Sequence, residues 1–276
     1  MKRITEHEAR QEMVHVGRLM WERGYVAATD GNLSTRLGRD RLLVTPSGLS
    51  KGFLSEGDLV VIRADGEPLG GYQGRGGRPS SEILMHLEVY RQRPDVNAVV
   101  HAHPPVATAF SIAGISLARC VIPEVIVTLG GIPTAEYATP GTVEVPDSIR
   151  QAIRDYDAVI LAHHGALTSG ATLWEAYLRL ERVEHTAKIT LAAQQLGRVT
   201  TLSPEAVDKL ASLRRELLQG QGRDLCEGCS VCVLGDEYPL PTELTPSNTS
   251  SLEVEALVRQ ISQAVTKNLE GEPGKR

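Results

Sequence analysis

Two short apolar runs, each ending in histidines, constrain the fold of this chain more than any other feature. They are AVVHAHPP, residues 98–105, and AVILAHHG, residues 158–165. A continuous apolar run of this length that ends at Pro or Gly is typical of a buried strand. Helical and strand patterns alternate around the two runs, so the sequence predicts a mixed α/β domain.

The histidines at these two strand ends suggest a metal site. His101 and His103 are two residues apart and therefore project from the same face of a strand. His163 and His164 are adjacent, so on a strand they face opposite ways and only one of them can join the first pair. Three imidazoles from two strand ends are typical of a catalytic zinc site. A pair of hydrogen-bonded surface histidines remains the alternative.

Hydrophobic periodicity and turn residues predict the other elements. Helical patterns cover residues 5–23, 78–95, about 105–112, 146–154, 172–197 and 203–220. Strand patterns cover residues 25–37, 41–48, 58–69 and, around a Pro-Glu break, 120–133. We therefore expect one catalytic domain over residues 1–222, followed by a loop and linker over 223–250 and a terminal helix over 251–276.

Charge and hydropathy exclude several classes of partner. The formal net charge is -5, so the chain has no basic field that would favour nucleic acid. We find no run of about 18 apolar residues, as a membrane span needs, and no apolar core of a signal peptide near the start. The expected compartment is therefore the cytosol, without nucleic acid or membrane as a partner.

Three turn motifs indicate an anion site. Ser80 and Ser81 lie at the start of a predicted helix, where their backbone N–H groups favour an anion. The turns TDGNLS and TPSGLSKG add hydroxyl and amide groups, and together the three motifs favour a phosphate cradle. Glu82 lies in the first turn of the same helix, where a carboxylate also has the simpler role of stabilising the helix end.

The motifs TDGNLS, TPSG, PSSE, VVHAHP and HHG, in this order, resemble the class II aldolase/adducin family over residues 5 to about 215. The resemblance implies an α/β (α+β type) fold with a central, mainly antiparallel sheet flanked by helices. It also implies a C4 homotetramer with active sites between subunits. Members include L-fuculose-1-phosphate aldolases, sugar-phosphate 4-epimerases and methylthioribulose-1-phosphate dehydratases.

The resemblance also implies residue roles. The expected ligands of a divalent ion, taken as Zn²⁺ although other cations remain open, are His101, His103, His164 and a displaceable Glu82. The positions that match the family's phosphate-binding residues are Asn32, Ser47, Gly48, Ser80 and Ser81, and Thr29 is expected to lie beside them.

The expected reaction is retro-aldol cleavage of a ketose 1-phosphate to dihydroxyacetone phosphate and a short aldehyde. The bound ion would accept the electrons of the broken bond, and Glu82 would then act as acid–base. Glu124 stands where the resemblance places a tyrosine in fuculose-phosphate aldolases, so we expect it to be a second catalytic group unless it is a surface carboxylate. Epimerase and dehydratase activities remain alternatives. A non-enzymatic, adducin-like role is disfavoured because all three histidines are present.

The segment after residue 222 lies beyond the resemblance to the family core. Cys226, Cys229 and Cys232 could hold zinc or an iron–sulfur cluster with a further ligand, or form a reduced loop. The terminal helical pattern is amphipathic and resembles an encapsulation peptide of a bacterial microcompartment, which would dock on a shell or cargo protein. A helix that packs back on its own core is the alternative.

Overall fold

The structure is a computed structural model, and it describes residues 4–69, 75 and 77–218. The predicted linker, the terminal helix and the cysteines at 226, 229 and 232 therefore lie outside the described residues. In the part of the chain that is described, no helix combines the length and apolar character that a membrane crossing requires.

One sheet of seven described strands forms the centre of the fold. Its spatial order is β3-β2-β1-β4-β7-β6-β5. Neighbouring strands are antiparallel except β5 and β6, so the prediction of a mainly antiparallel sheet is confirmed. In chain order the strands are β1 Asn32–Arg36, β2 Arg41–Val44, β3 Val60–Arg63, β4 Ala98–Ala102, β5 Thr134–Ala135, β6 Ala158–Leu161 and β7 Gly165–Gly170.

Helices cover both faces of this sheet. The described helices are α1 Glu6–Glu22, α2 Ile83–Gln92, α3 Pro105–Ile112, α4 Pro123–Thr128, α5 Glu144–Asp155, α6 Leu173–Gln195 and α7 Pro204–Leu217. Helices α1, α3 and α6 share one apolar cluster with the sheet, and α2 and α5 share another. Along β4, Val100 faces the first cluster and Val99 the second, as strand alternation requires.

Two expectations about the elements are wrong. Residues 120–133 were expected to be strand-like, but Pro123–Thr128 is a helix with Pro123 at its start, where the fixed φ of proline and its missing N–H suit a helix. The histidines of the second apolar run do not lie on a strand. They lie in the turn that joins β6 to β7, and His163 has a left-handed φ of 58°.

Candidate functional site

Three histidine side chains meet at one end of the central strands. His101 lies on β4 and is fully buried, His103 follows the same strand, and His164 lies in the β6–β7 turn. One ring nitrogen from each of the three lies within 4.8 Å of the others. The Nε2 atoms of His101 and His103 are 3.2 Å apart. The structure thus brings together the three histidines that the sequence singled out as metal ligands.

Strand pairing and one glycine explain this meeting. His101 is opposite Leu167 in the β4–β7 ladder, so the turn that carries His164 lies beside the end of β4. Gly165 begins β7 at a point of close approach. A Cβ atom there would overlap the Ala102 carbonyl and come within 2.7 Å of the His103 ring, so only glycine lets the turn approach so closely.

Hydrogen bonds orient the rings. The Nδ1 atom of His101 donates to the Ala166 carbonyl at 3.0 Å, which leaves the Nε2 lone pair facing the other histidines. The Nδ1 atom of His103 lies 3.6 Å from a carboxylate oxygen of Asp30. Carbonyl and carboxylate partners of this kind fix the orientation of metal-binding imidazoles in proteins.

Burial keeps these rings in the form that can bind a cation. Burial lowers the pKa of His101 to about 3, although the charge of Glu82 opposes the shift. Burial and the neighbouring His164 also lower the pKa of His103. At neutral pH both imidazoles are therefore uncharged and offer a lone pair.

The Glu82 carboxylate lies among the histidines. Its oxygens are 3.4 Å from Nε2 of His101 and 3.2 Å from Nε2 of His164, and one of them accepts a hydrogen bond from the Asn32 amide at 2.8 Å. Burial raises the pKa of Glu82, but the two imidazoles and Asn32 outweigh it and hold that pKa well below its usual range. The side chain is therefore a carboxylate at neutral pH.

The position of Glu82 differs from the expectation in one detail. The α2 helix begins at Ile83, so Glu82 occupies the N-cap position and not the first turn, and its side chain makes no capping hydrogen bond. The simpler role of helix-end stabilisation therefore does not describe this carboxylate, which points to the histidines.

The donor set fits a divalent cation. A tetrahedral zinc ion with nitrogen ligands at about 2.0–2.1 Å places those nitrogens about 3.3 Å apart. The Nε2 atoms of His101 and His103 have a separation of 3.2 Å, and a carboxylate is available as a further ligand. Three imidazoles with one carboxylate suit several first-row divalent metals.

The three turn motifs lie side by side next to the histidine cluster. Pro46 pairs with Pro79, and the Ser47 N–H donates to the Arg78 carbonyl, so the turn after β2 runs along the segment before α2. The ammonium of Lys51 donates to the carbonyls of Thr29 and Leu49 at 2.7 and 2.6 Å and so ties the turn before β1 to the turn after β2.

The candidate phosphate-binding side chains differ in exposure. Asn32 is buried and Ser80 is half-buried, whereas the exposed positions are Thr29, Ser47, Gly48 and Ser81. One expectation about this site is wrong. The Ser80 N–H is not a free anion donor, since it donates to the Thr45 carbonyl, and the Ser80 hydroxyl accepts from the Glu82 N–H. Any contribution of Ser80 to anion binding must therefore come from its hydroxyl proton.

Glu124 and His163 lie apart from this geometry. Glu124 is exposed at the start of α4, and among the described residues its carboxylate has no hydrogen bond or ion pair. Its role as an acid–base rests on the family resemblance alone. His163 is also exposed, and its ring faces Tyr137 at a centroid distance of 6.3 Å.

Sequence reasoning missed two buried residues of this region. Lys51 is 2% exposed, and burial lowers the pKa of its ammonium to about 8, against the opposing charges of Asp30 and Glu82. His86 is 1% exposed and contacts Asn32. A usable signal for His86 existed, because residues 82, 86 and 90 lie on one face of a helix and residues 32 and 34 on one face of a strand.

Comparison with known proteins agrees with the mainly antiparallel sheet and the histidine cluster at its strand ends, and it gives the class of protein, a lyase. Residues 11–191 match the family described as class II aldolase and adducin N-terminal domain. The chain belongs to this family and is a class II aldolase.

Individual relatives carry two different names. The chain is 38% identical over 180 residues to an L-fuculose phosphate aldolase of Methanococcus vannielii, a match that covers 65% of this chain and 93% of the relative. It is 36% identical over 189 residues to a 3-oxo-tetronate 4-phosphate decarboxylase of Escherichia coli K12, covering 67% and 87%. A solved L-fuculose 1-phosphate aldolase superposes with a TM-score of 0.68 at 30% identity, covering 77% of this chain and 98% of that one.

Proposed function

We propose that this chain catalyses metal-dependent retro-aldol cleavage of a ketose 1-phosphate, such as L-fuculose 1-phosphate, to dihydroxyacetone phosphate and a short aldehyde. The observation that carries the proposal is the convergence of His101, His103 and His164 on one point beside the Glu82 carboxylate. We assign Zn²⁺ as the cation because imidazole nitrogens and an open position are typical of catalytic zinc.

The reaction places definite demands on the site. The C4 hydroxyl loses a proton, the bond between C3 and C4 breaks, and the C3 carbon finally gains a proton. A divalent cation held by the three histidines would supply a Lewis acid for the charge that develops on the C2 and C3 oxygens. A site for such a substrate therefore needs one ligand that can move aside, and we assign this role to Glu82, whose carboxylate lies among the three imidazoles.

The residues of the chain supply the proton transfer and the orientation. Glu82, once displaced from the imidazoles that keep it ionised, takes up a proton from solvent and delivers it to C3, and a positioned acid–base of this kind contributes roughly 10²–10⁴ in rate. Asn32, Ser47, Gly48, Ser80 and Ser81, with Thr29 nearby, hold the phosphate at the far end of the substrate. Glu124 accepts the proton that leaves the C4 hydroxyl.

Decarboxylation of 3-oxo-tetronate 4-phosphate is the second candidate, favoured by relatives of similar identity that carry that name. The two reactions leave the same three-carbon fragment. Loss of carbon dioxide from the tetronate and loss of an aldehyde from the ketose both leave the ene-diol form of dihydroxyacetone phosphate. The candidates therefore differ only in the leaving group, which is the part of the substrate that lies farthest from the phosphate turns.

A product assay separates the two candidates. The zinc-loaded protein is incubated in turn with L-fuculose 1-phosphate and with 3-oxo-tetronate 4-phosphate, and dihydroxyacetone phosphate, free aldehyde and carbon dioxide are measured. We expect dihydroxyacetone phosphate and aldehyde in a one-to-one ratio from the first substrate. Release of carbon dioxide from the second substrate, with the first left intact, would replace the aldolase proposal by the decarboxylase.

We also propose the assembly that the family resemblance implies and the location that the other features of the sequence favour. The chain forms a homotetramer in the cytosol, and residues 251–276 form an encapsulation helix that docks on a microcompartment shell or cargo protein. The test is deletion of residues 245–276, which we expect to abolish co-localisation with shell proteins and to leave catalysis unchanged. Loss of activity on deletion would instead indicate that the helix packs on the enzyme itself.

A further inference from the structure

A chain of hydrogen bonds runs from the candidate site into the space between the sheet and α2. The Asn32 amide donates to Glu82 at 2.8 Å and its oxygen lies 2.5 Å from Nε2 of His86. The other ring nitrogen of His86 is 2.7 Å from the Ser34 hydroxyl, which is 2.8 Å from the Tyr90 hydroxyl. This chain, the His86 relay, consists of Glu82, Asn32, His86, Ser34 and Tyr90.

The relay beyond Glu82 is buried. Ser34 is 0% exposed, His86 1%, Asn32 3% and Tyr90 6%. Polar groups buried in this way need hydrogen-bond partners, because a lost bond is not replaced by water. The positions of the donors and acceptors in the relay are therefore fixed by the relay itself.

The direction of the relay follows from its charged end. A carboxylate only accepts hydrogen bonds, so the Asn32 side chain must present its NH₂ group to Glu82. The opposite amide orientation would put two acceptor oxygens 2.8 Å apart. The Asn32 oxygen then requires a donor, which must be Nε2–H of His86. The lone pair on Nδ1 of His86 accepts from Ser34, and Ser34 accepts from Tyr90.

We infer that His86 is a positioning residue that fixes the Asn32 amide with its NH₂ group facing the anions of the active site. The inference rests on the proposed function, in which Asn32 serves first Glu82 and then the substrate phosphate. Both partners are anions, so the amide must face them with its donor end throughout the reaction. The Nε2–H donor of His86 penalises the reverse orientation, because a flipped amide would direct its NH₂ group at that N–H.

The relay has a clear place in the fold. Asn32 and Ser34 lie on the same face of β1, the face covered by α2, and His86 and Tyr90 follow Glu82 at intervals of four residues on that helix. Helix α2 therefore carries both a residue at the histidine cluster and the two residues that orient its neighbour. Movement of α2 along the sheet would disturb both at once.

The first experiment reads the His86 tautomer directly. Protein labelled with ¹⁵N in histidine is studied by NMR, and the His86 signals are assigned by their loss in His86→Gln. We expect a protonated Nε2 and an unprotonated Nδ1 at pH 7. A ring protonated at Nδ1 alone would overturn the inference. This outcome does not depend on which substrate the enzyme uses, so it is separate from any failure of the proposed function.

The second experiment is a double-mutant cycle between His86 and Asn32. The variant His86→Leu removes the donor, and His86→Gln keeps a donor NH₂ group. We expect His86→Leu to lower kcat/KM by about 10–100-fold, the range found when partners behind active-site ligands are removed, and His86→Gln to restore much of it. In the Asn32→Ala background the same His86→Leu change should cost less than threefold, because the two residues act as one unit.

A structural role alone would give a different pattern. Met85→Leu, at a neighbouring buried position of α2, is the matched control and should leave kcat/KM within about twofold. Zinc content and circular dichroism of every variant are measured alongside. Equal losses from His86→Leu in the wild-type and Asn32→Ala backgrounds would overturn the inference, as would failure of His86→Gln to recover activity in a folded, zinc-loaded protein.

Discussion

Two polar clusters lie at opposite ends of strands β4 and β6, and they are built on different principles. The histidine cluster, His101, His103 and His164 with Glu82, lies at one end. An ion-pair cluster lies at the other end, where Asp157, just before β6, meets the guanidinium groups of Arg93 and Arg179 at 2.9 and 3.1 Å.

The ion-pair cluster is complete within the chain. Arg93 binds Asp95 as well as Asp157 and donates to the Ile153 carbonyl, while Arg179 also pairs with Glu175. Opposite charges face one another at short distances, and the carboxylate oxygens have donors. Such a cluster ties helices to strand ends and stabilises the fold, although its net contribution is limited by the cost of burying the charges.

The histidine cluster brings lone pairs together instead of opposite charges. Among the described residues, no lysine or arginine forms an ion pair with Glu82, and the hydrogen-bond and ion-pair partners of its carboxylate are two imidazoles and an amide. Lone pairs that converge in this way are suited to binding a cation and do not by themselves stabilise the fold. Burial and polarity alone therefore do not mark a functional site. The balance of charges and lone pairs does.

The largest effect is expected from replacing His164, and the adjacent His163 provides the contrast. Replacing His164 by Asn removes one of the three imidazoles that we expect to bind the cation. We expect kcat/KM to fall by about a thousandfold or more, because Lewis-acid stabilisation is worth several kcal/mol, and the bound zinc measured by mass spectrometry to fall with it.

His163→Asn is the matched control for that change. His163 is exposed, and Asn tolerates its left-handed backbone. Activity and zinc content should stay close to those of the wild type. Comparable losses of activity and zinc in the two variants would contradict a special role for the histidine cluster.

The next effect in size concerns Glu82. In Glu82→Gln the side chain keeps its shape but loses the charge and the ability to transfer a proton. We expect kcat to fall by about 10²–10⁴-fold with the circular dichroism spectrum unchanged. An activity within threefold of the wild type would remove Glu82 from the mechanism and leave it a purely structural carboxylate.

The ion-pair cluster should respond in the opposite way. Asp157→Asn leaves Arg93 and Arg179 without their shared carboxylate, so we expect the free energy of unfolding to drop by about 3 kcal/mol in urea titrations. The kcat of the folded fraction should change by less than about twofold. A large fall in kcat with unchanged stability would show that the two ends of the sheet are coupled.

The smallest expected effect is a difference in how strongly acid lowers the free energy of unfolding. Burial lowers the pKa of His86 to about 4, whereas an unfolded histidine titrates near 6.5. Between these values the unfolded chain binds the additional proton, so stability falls as the pH decreases, by up to about 1.4 kcal/mol per pH unit. Burial lowers the pKa of Arg93, but Asp95 and Asp157 outweigh it and raise that pKa, so its guanidinium stays charged over this range.

The corresponding measurement is urea unfolding of chelator-treated protein between pH 6.5 and 4.5. His86→Gln should show a shallower loss of stability with acid than the wild type, and His185→Gln, at an exposed position of α6, should match the wild type. If the free energy of unfolding changed equally with pH in the wild type and in His86→Gln, the role of burial at this position would be contradicted.

Much of the fold could be predicted because its strands are apolar and its turns are marked by Gly and Pro. The strand reading of residues 120–133 failed because β-branched residues there favour a strand locally, while Pro123 and the burial of Val125, Ile126 and Leu129 select a helix. The position of His164 in a hairpin turn depends on the close approach allowed by Gly165, which periodicity does not reveal.

The histidines of the site could be identified from the sequence because their spacing and strand-end positions are local features. The sequence marks Lys51 and His86 less directly, because their partners are distant along the chain. Lys51 joins two turns through carbonyl oxygens, and His86 contacts Asn32, which is 54 positions away. Pairings of this kind are set by how α2 and the turns pack on the sheet.

The most direct measurement is a zinc titration of chelator-stripped protein, with the release of dihydroxyacetone phosphate from L-fuculose 1-phosphate as the readout. We predict no activity before zinc is added and a linear rise of activity that ends at one equivalent of zinc per chain. Full activity in the stripped protein, at zinc levels far below one equivalent, would contradict the claim that His101, His103 and His164 hold a catalytic cation.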